Sequence, residues 1–188
     1  MELVTPRSKL RDGGLKVDFF MEYLSKKEAD ELYNTLESSI EWKKGNRRQK
    51  YTYGDEGLEY VIWFSNGIGR YKCIPWKQLP ILLKLKARLE KLVHQSFTTC
   101  VIQYYPHGKV RIKPHQDKEM KPGTTIVGLS VGATRYLKLS RMDIEYNVDL
   151  PHGSVYIFHP PTNDWWAHSI PADTSVTTPR YSLTFRNY

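Results

Sequence analysis

Seven short runs decide the fold: VIQYY (101–105), VRIKPHQD (110–117), TIVGLSV (125–131), TRYLKLS (134–140), SVYIF (154–158), WAHSIP (166–171) and RYSLTF (180–185). β-Branched and aromatic residues dominate them, while Gly, Pro and Asn punctuate the gaps. No helical period interrupts this stretch. Strands that short must share sheets to bury a face, so the pattern predicts an antiparallel sandwich or jelly roll from about residue 99 to 188.

Towards the N-terminus the period changes. Leu82, Leu85, Leu89, Leu92 and Val93 form one apolar stripe opposite Lys84, Lys86, Arg88 and Lys91, which predicts a helix starting near Pro80. Ser25 and Glu28 have capping-box spacing, and Ala29, Leu32, Tyr33, Leu36 and Ile40 then recur at helical intervals, predicting a helix from about Lys26 to Ser39. Between the helices, residues 43–78 mix basic and aromatic side chains with glycines, as short strands and loops do. Trp63 and Trp76 there are read as core residues. Residues 1–16 are polar and basic with Gly13-Gly14, and read as a flexible arm ahead of one domain over 17–188.

The 188 residues, 40% of them hydrophobic, suit one core. Lys plus Arg number 28 against 20 Asp plus Glu, and the resulting charge of +8 favours a partner carrying phosphates. Cys73 and Cys100 are too few and too far apart for a disulfide framework or a Cys-based zinc site, which suits a reducing compartment. No apolar run approaches the roughly 20 residues of a membrane span, and the N-terminus lacks a signal-peptide pattern. A soluble intracellular monomer is expected, without a membrane partner; nucleus and cytoplasm are not separated.

The chemistry-bearing residues lie in the β region. His115-Gln116-Asp117 ends a predicted strand, whose two-residue period points His115 and Asp117 to one face. His168, in another run, would complete a two-His-one-carboxylate triad, which leaves positions open on iron(II). Arg180 and Arg186, six residues apart in a strand, share a face with Ser182 and Thr184. Two fixed guanidiniums suit a dicarboxylate, because each can grip a carboxylate through two parallel hydrogen bonds. His-x-Asp alone is a weak signal in a six-histidine chain, and two arginines alone could be solvated on an edge strand; together they support one another. His94, His107, His152 and His159 are given structural roles.

With these pieces in this order, the chain resembles the AlkB family of Fe(II)/2-oxoglutarate-dependent dioxygenases, closest to its duplex-DNA repair branch. QYYPHGKVRIKPHQDKE, IVGLSVGATRYLKL, LPHGSVYIF, PPTNDWWAHSIP and PRYSLTFR carry the resemblance, together with TYGDEGLEY and IPW upstream. It implies a mostly β fold with flanking α: a double-stranded β-helix (jelly roll) core over about 99–188, N-terminal helices, and a nucleotide-recognition lid over about 43–78. It implies that His115, Asp117 and His168 hold iron, that Arg186 pairs with the 1-carboxylate of 2-oxoglutarate, and that Arg180 pairs with its 5-carboxylate, assisted by Tyr105 and Ser182. Gln103 stands where the family usually has Asn in an Asn-x-Tyr pair; it keeps the amide but reaches one methylene further. Arg48, Tyr53, Asp55, Tyr60 and Glu119 would contact a flipped base, with Phe64 and Ile62 competing to stack on it.

The implied reaction uses Fe(II), 2-oxoglutarate and molecular oxygen to dealkylate bases of the 1-methyladenine and 3-methylcytosine type, giving succinate, CO2 and an aldehyde. Alkylated DNA is the implied partner, and RNA stays open. Two other functions compete. The same iron site could hydroxylate or demethylate protein, since a jelly roll does not fix the substrate, but the net charge and TYGDEGLEY favour nucleic acid. A catalytically silent nucleic-acid-binding domain would have no reason to retain the triad and both arginines.

Overall fold

The computed structural model describes residues 8–43, 45–64 and 67–188, with the side chains of 62–64 outside the described set. Its strands are β1 (Ser8–Asp12), β2 (Leu15–Phe20), β3 (Gln49–Gly54), β4 (Glu59–Phe64), β5 (Gly67–Lys72), β6 (Ile74–Pro75), β7 (Thr99–Tyr105), β8 (Ile112–His115), β9 (Ile126–Gly132), β10 (Arg135–Arg141), β11 (Ile144–Leu150), β12 (Ser154–Phe158), β13 (Ala167–Ile170) and β14 (Arg180–Arg186). The helices are α1 (Lys26–Ser39), α2 (Pro80–Val93) and the single turn α3 (Thr162–Trp165). Eight strands form a large sheet in the order β1-β2-β12-β9-β14-β7-β3-β6, and four form a smaller one, β11-β10-β13-β8. β4 and β5 pair only with each other.

Side-chain parity sorts the core into two layers. Tyr181, Leu183 and Phe185 of β14, with Val127 and Leu129 of β9, pack against Leu32 and Leu36 of α1 and Leu82, Leu85 and Leu89 of α2. The opposite face of the large sheet meets the small one, where Ile126, Tyr156 and Phe158 join Leu137, Leu139 and Ile170. Alternate residues therefore serve opposite layers. Gly128 makes room for this packing, since a Cβ there would lie 2.0 Å from the Tyr156 ring. At α1 the Ser25 side chain accepts from the Glu28 N–H while Glu28 accepts from the Ser25 N–H, the expected capping box. Among the described residues no helix is long and apolar enough to cross a membrane.

Four sequence expectations are corrected. Residues 8–16 are not an arm: Asp12 pairs with Leu15 across Gly13-Gly14, whose φ of +40° and +87° suit a two-residue hairpin turn, so β1 and β2 extend the large sheet. The remainder of the expected arm lies outside the described residues. The 43–78 segment is not one lid, because β3 pairs with β7 in the large sheet and only the β4–β5 hairpin stands apart. The core correspondingly recruits β2 and β3 from outside 99–188. Finally, IEYNVDL forms β11, which the seven runs omit; its inward face carries only Tyr146, Val148 and Leu150 among polar neighbours.

Candidate metal centre

β14 faces two environments. With Tyr181, Leu183 and Phe185 turned to the helices, Arg180, Ser182, Thr184 and Arg186 are left facing between the sheets. β7 runs antiparallel beside it, setting Gln103 opposite Ser182 and Tyr105 opposite Arg180. The small sheet supplies the histidines. β8 ends on His115, which is the cross-strand partner of His168 on β13, and their rings lie 4.3 Å apart.

Asp117 completes the cluster from the loop after β8. Its Oδ1 is 3.7 Å from His115 Nε2 and its Oδ2 3.9 Å from His168 Nε2, and one ligand atom from each residue falls within 4.8 Å of the others. His115 Nδ1 lies 2.9 Å from the Lys113 carbonyl; donating there leaves the Nε2 lone pair facing the cluster. Burial pushes the His168 imidazole down to about 4, despite the opposing pull of Asp117. Burial also works against the Asp117 charge, but Arg186, His168 and His115 outweigh it and hold the carboxyl below its usual range. The His115 and His168 imidazoles and the Asp117 carboxylate make a donor set that fits iron(II) with three positions left free.

The arginines have hydrogen-bonding capacity to spare. Arg186 Nη1 is 2.9 Å from Asp117 Oδ1, while its buried Nε has no partner among the described residues. Arg180, 1% exposed, donates from Nε to Ser130 Oγ at 2.8 Å, lies over the Tyr105 ring at 5.3 Å, and leaves Nη1 unpaired. Buried guanidinium donors without acceptors are costly, and a dicarboxylate between them would satisfy both. Gln103, Tyr105, Ser182 and Thr184 line the narrow cavity that continues from Arg186 and the triad. Tyr105 donates to Gln103 Oε1 at 3.0 Å, and Arg48 reaches the same oxygen at 3.3 Å.

A second cavity of about 610 Å3 shares His115, Asp117 and Arg186 with the first and is walled by Arg48, Lys50, Tyr60, Glu119 and Tyr188. Arg48, Tyr60 and Glu119 are thus brought together on one wall. Tyr53 and Asp55 are not. Tyr53 is 5% exposed and falls on the helix-facing side of β3, so parity turns it away from the cavity, while Asp55 accepts from Trp76 Nε1 at 2.7 Å. Trp76 itself stacks on Phe185 in the core, as expected. The side chains of Phe64, Ile62 and Trp63 lie outside those described. Lys50, Ser130 and Tyr188 were missed. Period two from Arg48 reaches Lys50 and from Arg186 reaches Tyr188, whose ring stacks near Tyr60 at 6.2 Å. Of the other histidines, His152 and His159 pair with Asp30 and Asp18 at 3.1 and 3.0 Å.

A family model described as the 2OG-Fe(II) oxygenase superfamily matches residues 16–186. DNA oxidative demethylase ALKBH2 of Mus musculus is 33% identical over 202 residues, covering 94% of this chain and 82% of that protein. Its Homo sapiens counterpart is 32% identical over 86% of this chain and 69% of its own length. The alpha-ketoglutarate-dependent dioxygenase alkB homolog 3 of Mus musculus is 28% identical over 93% of this chain and 66% of its own. Among solved structures, OsALKBH1 superposes with a TM-score of 0.62 at 17% identity, covering 96% of this chain and 99% of that one. A prolyl hydroxylase from Trichoplax adhaerens superposes at 0.61 and 11% identity, covering 92% and 83%. These two likenesses are of fold.

Proposed function

Because the chain belongs to the 2OG-Fe(II) oxygenase superfamily, and within it to the AlkB family, we propose that it removes alkyl groups oxidatively from bases in DNA. It is an Fe(II)- and 2-oxoglutarate-dependent dioxygenase, and molecular oxygen is the co-reactant. The observation that carries the substrate reading is the join between the two cavities: the wall holding His115, Asp117 and Arg186 belongs to both. An alkylated base in the outer space would lie against the metal ligands.

When bound, iron, 2-oxoglutarate and oxygen would supply the oxidation of the alkyl carbon, and the hydroxylated base would release aldehyde and be restored. The chain's own residues bind and orient. His115, Asp117 and His168 hold the metal. Arg186, beside Asp117, would hold the 1-carboxylate of 2-oxoglutarate, and Arg180, backed by Ser130 and the Tyr105 face, would hold its 5-carboxylate. Tyr105, Gln103 and Ser182 line the space between. Tyr60 offers the flipped base an aromatic face, while Arg48, Lys50 and Glu119 supply polar contacts around it. The side chains of Tyr53 and Asp55 support this wall from behind through the core and Trp76.

Lesions of the 1-methyladenine and 3-methylcytosine type are the proposed substrates, since a base that pairs poorly costs least to flip. RNA with the same lesions is a proposed second substrate, because the named contacts address the base. The protein is proposed to act as a soluble monomer inside the cell. Aldehyde and succinate release from methylated DNA, methylated RNA, unmodified oligonucleotide and peptide pools tests the proposal. Release with peptide alone would refute it.

A further inference from the structure

Asp117 lies beyond the last ladder pair of β8, so no sheet holds its main chain. A side chain does so instead. Asn163, in α3, accepts from the Asp117 N–H through Oδ1 at 2.9 Å and donates to the Asp117 carbonyl through Nδ2 at 2.9 Å. A carboxamide carries one acceptor and one donor in a plane, and can therefore reproduce both bonds of a missing strand neighbour. The same turn is gripped from two other sides. Gln116 Nε2 donates to the Asp164 carbonyl at 2.7 Å, and Thr162 Oγ1 accepts from the Lys16 N–H at 2.8 Å while donating to the Lys16 carbonyl at 3.1 Å. His168 follows shortly after, in β13. One turn thus bridges β2, the Asp117 loop and the strand of the second histidine.

We propose that Asn163 is a positioning residue of the metal centre, whose two-point clamp on the Asp117 main chain fixes the direction from which that carboxylate meets the ion. The inference rests on the reading of His115, Asp117 and His168 as the iron ligands. Asp117 must face both imidazoles and Arg186 at once. A rotation of its backbone would turn the carboxylate from one set towards the other. Thr162 anchors the turn without touching Asp117, which separates positioning from simple support.

The experiment is an anaerobic titration of Fe(II) in the presence of 2-oxoglutarate, read by calorimetry and by the visible charge-transfer band, alongside the melting temperature of the metal-free protein. Asn163→Ala should raise the Fe(II) Kd by about 10-fold to 100-fold, the range for partners that orient metal ligands, and should shift the band. Asn163→Asp keeps the acceptor for the Asp117 N–H but loses the donor, so a smaller rise is expected; if Asn163→Ala does not fold, this variant decides. Thr162→Val should lower the melting temperature yet leave the Fe(II) Kd within about twofold. An Asn163 variant that folds and binds Fe(II) like the wild type overturns the proposal. So does Thr162→Val raising the Kd as much as Asn163→Ala. A wild type that fails to bind Fe(II) overturns instead the reading of the metal centre itself.

Discussion

The Arg186 guanidinium and the Asp117 carboxylate form a buried ion pair, with Nη1 2.9 Å from Oδ1 and both side chains under a tenth exposed. Each group is committed twice, since Asp117 also faces the imidazoles and Arg186 also lines the inner cavity. Removing one partner strands a charge away from water. Arg186→Met should therefore destabilise the metal-free protein by about 3–5 kcal/mol in urea unfolding, and adding Asp117→Leu should recover most of that loss. Equal losses in the single and double variants would show the pair to be energetically idle.

Arg180→Lys and Arg186→Lys preserve charge but not the planar fork. Their 2-oxoglutarate requirement should rise at least about tenfold, because lysine cannot make the two parallel contacts to a carboxylate. Steady-state kinetics against 2-oxoglutarate, at fixed methylated oligonucleotide, give the measurement. Curves that overlay the wild type would remove both arginines from the cosubstrate site.

Strand parity made much of this legible. Writing β14 as alternating residues places Arg180 and Arg186 on one face and Leu183 on the other, and the structure keeps that division. On β3 the same rule separates Arg48 and Lys50 from Tyr51 and Tyr53, which turns Tyr53 to the helix side. In sequence Gly13-Gly14 suits a slack linker and a tight hairpin equally, and the pairing of Asp12 with Leu15 decides for the hairpin. Ser130 and Asn163 had no local signal. Their partners Arg180 and Asp117 are 50 and 46 residues away in the chain, and only strand pairing and the α3 turn bring them together.

Metal-free protein should lose stability as pH falls from about 6.5 to 4. His168 is depressed to about 4 by burial, from 6.5 when unperturbed. Above 6.5 it is neutral in both states and costs nothing. Between the two values the unfolded chain binds a proton that the folded chain refuses, so acidification favours unfolding. The span corresponds to on the order of 3 kcal/mol. Urea midpoints across pH 4–8, with iron chelated, should fall on the acid side, and His168→Gln should flatten that slope. A wild-type profile that is level between 4 and 6.5 would contradict the buried neutral imidazole.

Replacing His115, Asp117 or His168 by Ala should abolish turnover and weaken Fe(II) binding, because each removes one of three protein ligands; the metal-free fold should stay largely intact in the two histidine variants, whereas Asp117→Ala also strands Arg186 and should cost stability. Anaerobic Fe(II) titration and circular dichroism are read together. Full turnover by any one of these variants would remove that residue from the metal site.

Affinity for nucleic acid and placement of the base should depend on different residues. Arg11 is already engaged by Asp18 and the Val17 carbonyl. Better candidates precede the metal: Lys109, Arg111 and Lys113 are exposed, alternate with Val110 and Ile112, and lead along the edge strand β8 into His115. If Arg111 neutralises one phosphate, Arg111→Ala should weaken oligonucleotide binding, reduce the slope of log Kd against log salt by about 1, and leave kcat at saturation unchanged. Tyr60→Ala should do the reverse. One stacking contact is worth only about 1–3 kcal/mol, yet it holds the base beside the ligand wall, so kcat for the methylated base should fall well before Kd changes. Anisotropy titrations across a salt series, paired with single-turnover rates, separate the two groups. Binding that ignores salt, or a Tyr60→Ala enzyme with wild-type kcat, would count against a base-flipping dealkylase, and hydroxylation of a peptide by the same iron site would then become the reading to test.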